Sequence, residues 1–119
     1  MLLLLPPSET KRDGGDGDVL DLAALSHSAL TVQRTELLDR VIALAADGDA
    51  TMRALKLSPR QTAEVERNRR LRDAPTMPAI DRYTGVLFDA LDAGTLSTDA
   101  RSFARHSLVV HSALFGLQR

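Results

Sequence analysis

Apolar and polar residues come in blocks along this chain, and the first block sets the frame. Leu2, Leu3, Leu4 and Leu5 run together and stop at Pro6 and Pro7, and Ser8, Glu9, Thr10, Lys11 and Arg12 follow as an entirely polar loop. Leucine alone does not choose between strand and helix. So short a run cannot hold a stable helix, however, and two prolines remove backbone donors and push Leu5 towards extended geometry. The pattern predicts a strand near 1–5 that is apolar on both faces and so interior to a sheet. A β-branched run of Leu108, Val109 and Val110, continued by Ala113, Leu114 and Phe115, predicts a second interior strand over 107–115 that ends at Gly116.

Between these runs the period is helical. Leu38, Val41, Ile42 and Ala45 recur at helical spacing, predicting a helix from an N-cap at Thr31 to about Ala46, closed by Gly48 within Asp47-Gly48-Asp49. Ala50 to Leu55 predicts a short helix, and Lys56-Leu57 a turn. Ser58-Pro59-Arg60-Gln61 has the capping-box pattern that opens another helix, expected to run to about Arg72. The 50–72 stretch therefore reads as a helical hairpin. Beyond Pro75 and Pro78, Val86 to Leu91 predicts a helix stopped at Gly94, and Ser97 caps another from Thr98 to about His106. The fold class expected is mixed α/β, with helices packed around the two strands in a single domain over 1–119.

Composition narrows the class only a little. A hydrophobic fraction of 44% and a charged fraction of 26% over 119 residues are ordinary for one globular domain. With no cysteine, the chain has no disulfide, iron–sulfur or thiolate zinc chemistry of its own. The leading leucines lack the basic n-region, the length and the cleavage site of a secretory signal, and no segment has the roughly 20 apolar residues of a membrane span. A cytoplasmic protein with no membrane association is expected.

Charge placement says more than net charge. Between Arg53 and Arg72 seven cations stand against Glu64 and Glu66, a balance of +5, so the remainder carries −6 of the net −1. A nearly neutral chain is split into a basic hairpin and an acidic body.

Four stretches, LLLLPPSETK at 2–11, LKLSPRQTAEVERN at 55–68, RYTGVLFDAL at 82–91 and SALFGLQR at 112–119, together resemble the YaaA family of bacterial peroxide-stress proteins, in its order and spacing. The opening with its DGGDG resembles the actinobacterial branch. Family members are about twice as long, which implies a carboxyl-terminal half as a partner of this one. The resemblance implies an α/β protein that protects cells from hydrogen peroxide by limiting free iron and oxidative DNA damage. It also implies a DNA-binding helix-hairpin-helix at Met52 to Leu71.

Such a hairpin aims turn amides and a helix start at a phosphate, with cations adding sequence-independent attraction. Lys56, Ser58 and Arg60 stand where that contact is made, and Arg67 and Arg70 share a helix face within reach of a neighbouring phosphate. The competing reading is a solvated charged hairpin, since Pro59 removes an amide and no glycine stands in the turn. At the end of the first strand, Ser8, Thr10 and Lys11 offer hydroxyls and an ammonium to an anion, with Tyr83 and Gly85 lining the same crevice. The alternatives there are a structural loop with Lys11 paired to an aspartate, and a packed tyrosine with a wet hydroxyl. The rival function is an enzyme acting on a nucleotide or damaged base in that crevice.

His27, His106 and His111 do not form a metal-binding spacing, and no nucleophile stands beside a recognisable base, so neither a metal, a cofactor nor a catalytic residue is assigned.

Overall fold

Three strands form in the computed structural model, which describes residues 1–119: β1 (Leu3–Leu5), β2 (Leu108–Ser112) and β3 (Gly116–Gln118). β1 runs parallel to β2 with Leu3 opposite Leu108, Leu4 opposite Val109 and Leu5 opposite Val110. β2 and β3 are antiparallel, with His111 opposite Leu117. The protein is mixed α/β, and the two apolar runs expected to be strands are indeed sheet neighbours.

Two details differ from the expectation. The apolar run after Leu108 is not one strand, because the chain turns over Ala113 to Phe115 and returns as β3. Ser112 Oγ accepts from the Leu114 and Phe115 amides (3.2 and 3.1 Å), and Gly116 follows at φ +71°. The hydroxyl and the glycine provide the turn geometry, and the apolar periodicity gives no sign of it. Second, the strand order β1-β2-β3 makes β2 central and leaves β1 at an edge, where Leu3 and Leu4 are 42% and 59% exposed rather than interior.

The chain divides into two compact units, one of residues 1–17 with 76–119 and one of residues 18–75. In the first, α4 (Ala79–Arg82), α5 (Val86–Leu91) and α6 (Thr98–Ser107) accompany the sheet. Its core joins Ala79, Tyr83, Phe88 and Val110, with Leu5 packed against them and the Tyr83 and Phe88 rings stacked at 5.3 Å. Ser97 caps α6 as its position predicts, accepting from the Ala100 amide at 3.2 Å. Asp92 at φ +45°, rather than Gly94, ends α5, and a 3₁₀ turn then carries Ala93 to Thr95.

The second unit holds α1 (Thr31–Ala45), α2 (Gly48–Ala54) and α3 (Ala63–Arg69), with α1 packed on the other two. Leu38, Ala45 and Val65 are buried between them, as is Thr51, whose hydroxyl donates to the Leu44 and Asp47 carbonyls. Thr31 is the first helical residue and not the cap. Gly48 starts α2 instead of closing α1, because Asp47 takes the N-cap position and accepts from the Ala50 amide at 2.9 Å. The segment opened by Ser58 starts as a 3₁₀ turn at Pro59–Gln61, and its helix ends at Arg69, short of Arg72.

Candidate functional site

Two groups of residues carry the chemistry, one in each unit. In the 18–75 unit, α2 is followed by Leu55 as its C-cap, and Lys56 takes a left-handed conformation at φ +52°. The Leu57 amide donates back to the Met52 carbonyl (2.9 Å) and the Lys56 amide to that of Arg53 (3.3 Å), so the turn is a Schellman motif with lysine in the glycine position. Ser58 then caps the next element. Its amide donates to Gln61 Oε1 at 2.9 Å and its hydroxyl completes the capping box. Both polar groups of Ser58 are thus engaged within the turn, and Pro59 has no amide.

The seven cations of this stretch fall into two classes. Arg67 is ion-paired to Glu64, Arg69 to Glu66 (3.2 Å), and Arg72 to Asp39, while Arg69 Nε also donates to the Ala45 carbonyl at 2.6 Å. These three brace the helices. Arg53, Lys56, Arg60 and Arg70 are exposed and form no ion pair. Arg67, expected beside Arg70 on an outward face, is half-buried against its glutamate, and Arg53, which the turn reading passed over, joins the outward set. Charge counting cannot separate the two classes, since pairing depends on α1 supplying Asp39 and on helical spacing within α3.

In the other unit the polar residues expected beyond β1 do converge. The Lys11 and Tyr83 backbones bridge in antiparallel fashion, the Thr84 amide donates to the Thr10 carbonyl (3.1 Å), and the Arg12 amide donates to the Arg82 carbonyl (2.7 Å). This short ladder brings Thr84 Oγ1 to Thr10 Oγ1 at 2.9 Å, and Thr10 Oγ1 lies 3.3 Å from Ser8 Oγ. Gly85 lies against both, at φ +104°, where a Cβ would stand 3.1 Å from Ser8 Oγ. The Lys11 ammonium lies 5.9 Å from the Tyr83 ring centroid, over its face, and Tyr83 is buried with its hydroxyl accepting from Gln118 Nε2 at 3.0 Å. Ser8, Thr10, Lys11, Tyr83 and Gly85 therefore occupy one place. Thr84 is the member missed at the sequence level, although it stands between two residues that were named.

Alongside Tyr83 a hollow of about 140 Å³ is bordered by Arg12, Asp81, Asp89 and Asp92. Asp81 is held there by a forked ion pair from Arg101, whose Nη1 also donates to the Ala93 carbonyl at 3.0 Å. The hydrogen bond to Asp81 raises the Arg101 pKa above its ordinary value. A second hollow, of about 250 Å³, lies between α2 and α3 beside Met52 and Val65. Both are smaller than the roughly 300 Å³ at which small-molecule pockets begin. No group of three or more metal-ligating side chains converges in the chain, and no helix is long and apolar enough to cross a membrane.

The family model described as peroxide stress protein YaaA matches residues 1–119, the full chain. The chain belongs to the YaaA family of peroxide stress proteins. A UPF0246 protein of Corynebacterium glutamicum is 47% identical to it over 117 residues, covering 98% of this chain and 45% of that protein. Similar UPF0246 proteins occur in Corynebacterium efficiens, 48% identical over 119 residues, and in Streptomyces coelicolor, 42% identical over 120 residues; the match covers 100% of this chain and 46% of each relative. The chain thus spans about half the length of the curated relatives it matches. No solved structure matches it. Membership in the YaaA family places the chain among proteins named for peroxide stress.

Proposed function

We propose that this chain serves the peroxide-stress response by binding duplex DNA without reading its sequence, through Arg53, Lys56, Arg60 and Arg70, and so contributes to limiting iron-dependent oxidative damage. The observation that carries this reading is the division of the basic stretch. Three arginines are neutralised by carboxylates, while the other four cations, Arg53, Lys56 and Arg60 around the turn after α2 and Arg70 at the far end of α3, have no counter-charge within the chain. Cations left exposed and unpaired are those that phosphate contact uses, because their binding releases counterions from the DNA without breaking an existing ion pair. The Ser58 and Pro59 backbone is not available as an amide donor, so attraction here is carried by side-chain charge, which suits contact independent of sequence. Ser58 enters as the cap that fixes the turn.

The rival, an enzyme acting on a nucleotide or damaged base near Lys11 and Tyr83, needs a pocket that encloses a base. The hollow beside Tyr83 is about 140 Å³, below the roughly 300 Å³ at which small-molecule pockets begin. The test is fluorescence anisotropy of a labelled duplex with the wild-type chain, Arg60→Glu, Arg67→Gln and Lys11→Ala. The reading expects Arg60→Glu to weaken binding about tenfold or more, and Arg67→Gln and Lys11→Ala to bind like the wild type. Loss of binding in Lys11→Ala with Arg60→Glu unaffected would reverse the assignment.

A further inference from the structure

We propose that the open edge of β1, with the leucines it carries, is a docking surface for a further apolar strand, and that its occupant is the remaining half of the family's chain. The sheet has the order β1-β2-β3, and no element pairs with the outer side of β1. Main-chain donors and acceptors on that side are therefore left to a partner. Leu2, Leu3 and Leu4 are 58%, 42% and 59% exposed, and alternation along the strand puts Leu2 and Leu4 on one face and Leu3 on the other. Leu5 alone of the four packs inward, against the cluster of Ala79, Tyr83, Phe88 and Val110. An edge that stays in water normally carries a charge, a proline or a bulge that keeps other strands away. β1 carries none of these: it is Leu3–Leu5 in regular register with β2, and Pro6 and Pro7 stand after it.

The opposite edge is built differently. β3 is half-buried along its length, and Gln118 on it donates to the hydroxyl of the buried Tyr83 at 3.0 Å. Exposed apolar strand surface is thus concentrated on the β1 side of the sheet. Two observations choose the occupant. The Corynebacterium glutamicum and Corynebacterium efficiens relatives are about twice as long, the match covering 45% and 46% of them, so more than half of each lies outside it and is free to supply a strand. Against a second copy, a three-residue strand with three exposed leucines offers far less than the roughly 800 Å² per partner that a stable interface between separate chains buries. A strand carried on the same polypeptide needs no such area, because tethering gives it a high effective concentration at the edge.

The experiment compares hydrogen exchange in the 119-residue chain with that in the full-length Corynebacterium efficiens relative, whose match covers all of this chain. In the chain alone, which should run as a monomer, the amides of Leu3–Leu5 that point away from β2 should exchange freely. At the aligned strand of the relative the same amides should exchange about tenfold more slowly or less, as a ladder hydrogen bond requires. Leu4→Lys should leave the melting temperature of the chain nearly unchanged, whereas lysine at the aligned position of the relative should lower its melting temperature by about 5 °C or more. Free exchange at that strand in the relative, or a lysine tolerated there as well as in the chain, would overturn the proposal. So would a dimer of the 119-residue chain with protected β1 amides, since a second copy would then be the occupant.

Discussion

Lys56 shows how one residue joins stability to function. A lysine at φ +52° is strained where a glycine is not, and its amide and that of Leu57 close α2 all the same. Lys56→Gly is expected to raise unfolding stability by about 0.5–1 kcal/mol while lowering duplex affinity, a pair of opposite changes that denaturant melts and anisotropy together reveal. Arg101 gives a contrasting case. Its forked bond to Asp81 raises a pKa that is already high, so the stability it contributes is fully present below the ordinary arginine value and is lost only as pH rises through the raised one. The difference in melting temperature between the wild type and Arg101→Met is therefore expected to be constant from roughly pH 7 to 10. At this scale the residue types at the end of β1 were legible, because prolines and hydroxyls announce a loop. Thr84 was not, since only the pairing of residues 10–12 with 82–84 brings it to Thr10.

At the scale of elements, two serine caps were legible from local cues, whereas Thr31, Gly48 and Gly94 do not hold the cap positions expected of them. Ser97 and the Ser58–Gln61 box stand where the sequence places them. The errors arose where the decisive partner is remote or the apolar pattern is blind. Val110 and Leu4 both belong to apolar strand runs, yet Val110 is completely buried in the centre of the sheet while Leu4 is 59% exposed on its edge. Val110→Ala is expected to cost about 2 kcal/mol and Leu4→Ala less than about 0.5 kcal/mol, as chemical denaturation measures. Equal losses would mean that β1 is covered in solution. Ser58→Ala, which removes half of a capping box, is expected to cost about 1 kcal/mol, with the shift in denaturation midpoint as its measure.

For the whole molecule, the split between a +5 stretch and a −6 remainder was legible as arithmetic, and mixed α/β class followed from two apolar runs flanked by helical periods. Which cations face solvent was not legible, because Asp39 neutralises Arg72 from another helix and Ala45 offers its carbonyl to Arg69. That distinction now defines the DNA-binding reading as a claim about four named side chains in a chain about half as long as its curated relatives. The most direct measurement is duplex affinity across a salt series. With four phosphate contacts, the slope of log K against log salt is expected near −3.6, by roughly −0.9 per contact, and Arg60→Gln should make it shallower by about one contact. Arg67→Gln should leave it unchanged. A slope near zero, or one that Arg60→Gln and Arg67→Gln alter equally, would contradict the account.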